Sequence, residues 1–173
     1  MSAMRGEEFD IQALYEAMNE RREARSMTWA DVAREINAWL PAPSSISAST
    51  ISRGRDRRSL EADGVLQMLR WLNRTPEAFC RGVGCTEKLS SQLPGLGPGW
   101  VLRFDSRAIF AALQVERSTQ QMTWEQAADA IGGVSAANLK RLEAGGRVSF
   151  PQVMRLVRWL HRPASKFMQL STW

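Results

Sequence analysis

V-S-A-A-N-L-K-R-L-E-A-G-G-R, the run from Val134 to Arg147, has the pattern of a short helix that ends in a glycine turn. Its outer face is small and basic. A second copy lies 88 residues earlier, where Ile46 to Arg58 reads I-S-A-S-T-I-S-R-G-R-D-R-R. The two align without a gap: Ser47 with Ser135, Ile51 with Leu139, Arg53 with Arg141. Ser47 is placed to cap its helix, because a serine oxygen can accept from the free amides of a first turn.

The duplication extends outward in both directions. Downstream, Arg70-Trp71-Leu72 matches Arg158-Trp159-Leu160, and Phe79 matches Phe167. Upstream the offset becomes 95, because the first copy holds extra residues around Trp39–Ser45. There Phe9-Asp10 matches Phe104-Asp105, Leu14-Tyr15 matches Ile109-Phe110, and Met27-Thr28-Trp29 matches Met122-Thr123-Trp124. Asp10 predicts a helix cap with Phe9 stapled onto Leu14. Thr28 with Asp31, and Thr123 with Gln126, predict capping boxes. Apolar stripes at helical spacing (Val32, Ala33, Ile36; Val65, Leu66, Met68, Leu69, Leu72) predict buried faces. Trp71 and Trp159 read as core. Trp29 and Trp124 fit packing better than an open stacking surface. His161, matching Asn73 at a helix end, reads as a cap or surface residue.

Between the copies, Gly82, Gly84, Pro94, Gly95, Gly97, Pro98 and Gly99 mark a joint, too long for a structureless loop inside one compact unit. Leu89, Leu93 and Leu96 give it anchors for packing down. These signals predict an all-α chain with no strand pattern, built as two tandem five-helix units over 1–80 and 101–173, joined by a Gly/Pro-rich linker over 81–100.

Composition excludes several classes. The chain of 173 residues is 44% hydrophobic, so a packed core is expected. No apolar run reaches membrane-spanning length and no signal core opens the chain, which predicts a soluble, cytoplasmic protein. Cys80 and Cys85, with His161 as the one histidine, cannot complete a usual four-ligand zinc site, and free thiols are expected. No metal, cofactor or catalytic residue is expected. There is no His/Cys/carboxylate cluster, phosphate-cradling glycine loop or nucleophile elbow, so an enzyme is the least favoured class. The net charge of +5 resides wholly in residues 91–173, whereas residues 1–90 balance to zero. A pI near 10.0 favours a polyanionic partner.

M-T-W-A-D-V-A-R-E-I followed by I-S-A-S-T-I-S-R, and M-T-W-E-Q-A-A-D-A-I followed by G-G-V-S-A-A-N-L-K-R-L-E-A-G-G-R, resemble the lambda-repressor/Cro-like (XRE) helix-turn-helix family. Ala33 and Ala128 match the alanine at that family's helix crossing. Gly133-Val134-Ser135 matches its turn, and Glu143 and Gly145 match the end of its recognition helix. The resemblance spans both copies in register, all but the joint and tails. Two features depart from it. Trp29 and Trp124 stand where the family has a glutamine that bonds the DNA backbone, and tryptophan offers one donor only. The first copy carries Gly54, Arg55 and Arg57 where an apolar residue, Glu and Gly are usual, which predicts an early helix end.

The resemblance implies sequence-specific binding of double-stranded DNA, with transcriptional regulation of a repressor-like kind and a nucleoid-associated location. Base-reading positions would be Ala136, Ala137, Asn138, Lys140 and Arg141, with Ala48, Ser49, Thr50, Ser52 and Arg53 in the first copy. Lysine and arginine suit guanine O6/N7, and alanine methyls suit thymine methyls. Phosphate contacts would come from Thr28, Thr123, Arg55, Arg57, Arg58 and Arg147. The family's dimeric habit implies that a tandem chain acts as a covalent pseudo-dimer on dissimilar half-sites, with a homodimer or protein partner also open. No small-molecule effector domain is evident. The competing reading is a protein-interaction module, such as an antitoxin or an accessory subunit of a DNA-transacting complex.

Overall fold

The computed structural model describes residues 9–41, 45–56, 61–80, 93 and 98–171, with Arg55 described in its backbone only. Among these, the first half contains α1 (Ile11–Ala24), α2 (Trp29–Asn37), α3 (Ala48–Ser52), α4 (Ala62–Leu72) and a 3-10 turn, Pro76–Phe79. The second contains β1 (Val101–Phe104), α5 (Ser106–Thr119), α6 (Trp124–Ile131), α7 (Ala136–Arg141), α8 (Phe150–Trp159), a 3-10 turn, Ala164–Phe167, and β2 (Met168–Ser171). The chain is mainly helical.

The all-α expectation is corrected by the small sheet. β1 and β2 pair antiparallel, with Val101 opposite Ser171 and Phe104 opposite Met168. Strands of four residues are too short for alternation to stand out, and β1 sits at the margin of the glycine-rich joint. The first half keeps one bridge at the equivalent place, Phe9 opposite Cys80. The expected fifth helices are 3-10 turns, opened in the first half by Pro76.

Local signals place the helix starts. Asp10 and Asp105 accept from the amides of Ala13 and Ala108, both at 2.9 Å. Thr28 and Thr123 form full capping boxes with Asp31 and Gln126. The backbone repeats too. Ser26 and Gln121 are left-handed at φ 52° and 54°, and Asn73 and His161 at 54° and 51°. Asn73 and His161 are thus the turn residues that end α4 and α8, a conformation that Asn and His tolerate better than most.

Extra length in the first half falls between α2 and α3, and Asn37 closes it. Its Nδ2 donates to the Ile46 carbonyl at 2.8 Å, and its Oδ1 accepts from the Ile46 amide at 2.7 Å. The side chain imitates a strand pair and returns α3 to its place.

Among the described residues, one buried cluster spans both halves. Leu14, Ile36, Leu66 and Leu69 belong to the same buried cluster as Leu102, Ile109, Phe150 and Leu156. Phe150 links them directly, with ring centroids 4.3 Å from Phe9 and 5.8 Å from Phe104. Gln67, buried on α4, donates to the Leu102 carbonyl at 2.8 Å. Leu93, within the joint, packs against this core, whereas Leu89 and Leu96 lie outside the described residues. Trp71 is buried in this cluster, and Trp159 is half-buried and packed against it.

Equivalent residues meet their own equivalents across the junction. Glu61 and Ser149, matched in the duplication, form an antiparallel bridge. α4 packs on α8. Glu77 Oε1, beside Pro76, accepts from the amide of Ala164, the match of Pro76, at 2.7 Å. Matched elements thus lie against one another, at the starts of α4 and α8 and near the two 3-10 turns.

Candidate nucleic-acid interface

α7 rests on Leu139 and the adjoining Leu142, 1% and 3% exposed. Those anchors turn Ala137, Asn138, Lys140 and Arg141 outward to solvent, with Ala136 half-buried. Ser135 caps the helix by accepting from the Asn138 amide at 3.2 Å. The turn before it needs glycine. Gly133 has φ +68°, and a Cβ there would overlap the Arg155 guanidinium of α8. Past α7, Leu142–Ala144 forms a 3-10 turn, and Gly145 ends it in the left-handed region at φ 79°.

α3 repeats the arrangement on a single buried anchor, Ile51. Ser49 and Arg53 are exposed; Ala48, Thr50 and Ser52 are half-buried. The cap is more elaborate. Ser47 Oγ lies 2.9 Å from Ser49 Oγ and 2.8 Å from Thr50 Oγ1, and accepts from the Thr50 amide at 3.1 Å. Two expected base-reading hydroxyls are therefore tied to their own cap. α3 has five residues and α7 six, each followed by a three-residue 3-10 turn, so the first is only slightly shorter. Gly54 is buried where Leu142 packs in the second half.

Thr28 and Thr123 are exposed at the starts of α2 and α6, but their hydroxyls serve the helix caps. Thr28 Oγ1 donates to Asp31 Oδ2 at 2.6 Å. That bond first, and the Thr28 amide second, hold the Asp31 carboxyl below its ordinary range. Thr123 Oγ1 accepts from the Gln126 amide at 3.2 Å. Arg147 extends into solvent and pairs with Glu61 of the other half at 2.8 Å. Arg57 and Arg58 lie outside the described residues, as does the Arg55 side chain.

Trp29 and Trp124 have a structural role. Trp29 stacks on Tyr15 at 5.4 Å, and Trp124 on Phe110 at 5.2 Å. Arg22 and Arg117 lie over those indoles at 5.0 and 4.9 Å. Each arginine also donates to the carbonyl of Met27 or Met122, at 2.8 and 2.6 Å. The duplicated clamp locks the start of α2 to α1 and of α6 to α5. Its sequence signal is an arginine seven residues before each tryptophan.

Two carboxylates near the expected contacts are not evident from the motif. Glu125 follows Thr123, and its carboxyl is held low by its own backbone amide, then by the Thr123 hydroxyl, with help from the charge of Lys140. Glu61 neutralises Arg147. A cleft of about 800 Å³ takes its walls from both halves, including Asp63, Gln67, Arg103, Arg107 and Arg147. Burial pushes the Asp63 carboxyl up, against the pull of Arg103 at 3.8 Å. Among the described residues, no group of three or more His, Cys, Asp or Glu is placed to hold a metal ion, and no helix is long and apolar enough to cross a membrane.

Comparison of the chain with protein-family models, curated proteins and solved structures finds no match.

Proposed function

We propose that the chain binds double-stranded DNA sequence-specifically through two tandem helix-turn-helix units, α2–α3 and α6–α7, and acts as a repressor-like transcriptional regulator. The observation that carries this is α7. A short helix fixed by two buried leucines, a capping serine and a glycine turn presents Ala137, Asn138, Lys140 and Arg141 together to solvent. Small residues at the start of a helix admit it to the major groove, and Lys140 and Arg141 then face the base edges. The same frame recurs in α3 with Ser49 and Arg53 outward.

Fluorescence anisotropy on duplexes selected from a random library tests the proposal. Lys140→Ala with Arg141→Ala is expected to weaken binding to the selected duplex tenfold or more, since a good base contact contributes ~1–3 kcal/mol. The wild-type affinity should fall linearly on a log–log plot against salt, as displaced counterions require. Unchanged affinity in the double variant would remove α7 as the reading element. An interaction role has support of its own in Trp100 and Leu170, 41% and 40% exposed at the sheet.

A further inference from the structure

We propose that the cleft between the two halves binds a small zwitterion of the amino-acid class, a molecule that carries a carboxylate and an ammonium group together. The site needs no separate effector domain and does not depend on DNA binding. Its volume of about 800 Å³ falls within the ~300–1,000 Å³ usual for small-molecule sites, which concentrate between packed units.

The charged groups of the cleft form two poles. Arg107, the second residue of α5, is exposed in the cleft wall with its guanidinium against Gly145. Among the described residues it enters no ion pair, whereas Arg103 lies 3.8 Å from Asp63 and Arg147 lies 2.8 Å from Glu61. Its fork of donors fits a carboxylate through two parallel bonds. The first amides of α5 strengthen that pole, since they lack partners within the helix and carry its positive end. Asp105 stands at the same end, but its Oδ1 is taken by the Ala108 amide at 2.9 Å.

The other pole is Asp63 with Gln67, one turn apart on α4. Half of the Asp63 side chain is exposed, so a ligand can reach it. Burial of the rest pushes its carboxyl up against the pull of Arg103, the Phe104 amide and Arg147, and Glu61 adds to the rise. This carboxylate is short of positive charge, and an ammonium group supplies it. Gln67 is 2% exposed. Its Nε2 donates to the carbonyls of Leu102 at 2.8 Å and Asp63 at 3.1 Å. Carbonyls only accept, so the amide orientation is fixed and Oε1 is the atom left over. It is buried and has no hydrogen-bond partner among the described residues, a costly state that a ligand donor relieves. The poles are close. The Phe104 amide bonds the Asp63 carboxylate, and Arg107 is three residues further on, ~11 Å of chain at most.

These residues lie outside the pattern that the halves share. Arg103, Arg107 and Arg147 match Glu8, Gln12 and Ser59, and Asp63 and Gln67 match Pro151 and Arg155. The common frame therefore does not demand this set of side chains. Ile46, Phe104 and Val148, half-buried in the cleft wall, give a ligand side chain apolar contact.

The experiment is a thermal shift on the full chain with each standard amino acid at millimolar concentration, followed by isothermal titration calorimetry of those that raise the Tm. Acetate and methylamine present the two poles separately. The expected result is one equivalent of an amino acid with an apolar side chain bound, and no shift with acetate or methylamine. Arg107→Gln installs the residue that the first half carries at the matching place. It should leave the unliganded Tm in place and weaken binding tenfold or more, as loss of a charge-assisted pair does. Asp63→Asn should weaken binding by a similar factor. No shift with any amino acid, acetate bound as tightly as the amino acid, or affinity unchanged in Arg107→Gln would overturn the proposal. Duplex DNA binding weakened by Arg107→Gln while no amino acid binds would also overturn it, and would give the cleft to phosphate.

Discussion

Glu35 shows how one residue separates halves that otherwise match. Arg25 grips its carboxylate through both oxygens at 2.6 and 2.7 Å, and Trp71 Nε1 donates to it at 2.8 Å. The second half has Gln120 and Ala130 at the matching places, and its Trp159 is less buried. The Arg25 bond first, and the Trp71 bond second, hold the Glu35 pKa below its ordinary value of 4.5. A depressed carboxylate stabilises the fold above its unfolded pKa, and the contribution is lost as pH falls through the folded value. Glu35→Gln should therefore lower the urea midpoint at pH 7, and the gap from wild type should close below pH ~4.5. A gap unchanged between pH 7 and pH 3 would mean that the charge contributes nothing. Glu125 offers a functional counterpart. It stands beside Thr123 and draws on Lys140, where DNA phosphates would come. Glu125→Gln should raise duplex affinity a few-fold at low salt, with the gain fading as salt screens it; weaker binding would place this carboxylate in a supporting role. The motif alone shows neither residue's part. Glu35 and Trp71 are far apart in the chain, and nothing in the spacing announces that they meet.

At the scale of elements, the signals legible in the sequence are those carried within one turn of helix. Thr28 with Asp31, Thr123 with Gln126, and Ser47 and Ser135 are local cues, and each starts the helix it predicts. β1 and β2 escape because their pairing joins residues about seventy apart and each strand is too brief to show a period. The Arg22–Trp29 and Arg117–Trp124 clamps escape because tryptophan spacing alone does not say what lies over the ring. The caps make the sharpest test at this scale. Thr123→Ala removes the acceptor for the Gln126 amide and should cost about 1 kcal/mol. Thr28→Ala should cost at least as much, because that hydroxyl also donates to Asp31. Thermal unfolding of both variants measures the losses. A Tm unchanged in either would mean that water satisfies the first turn as well as the threonine does.

At the scale of the molecule, the duplication is legible in sequence and the joining of its halves is not. The glycine-rich stretch suggests two bodies on a string, because a break in helical pattern looks the same whether the flanking units separate or fuse. In the structure, buried residues run across the junction. Phe150 is fully buried and touches rings of both halves, and α4 carries the second half's β1 as well as its own neighbours. Separating the halves would expose Phe150, Leu102 and the Gln67 bond to water together, a cost that couples the unfolding of each to that of the other. Denaturation should therefore be one transition, with amides of α2 and of α6 opening at the same highest free energy in native-state hydrogen exchange. Phe150→Ala should cost about 3–5 kcal/mol for a large ring lost from a closed core, and it should destabilise α1–α4 as much as α5–α8. A variant in which α5–α8 loosens while α1–α4 keeps its protection would mean that the first half stands by itself, and that the shared cluster is contact without coupling.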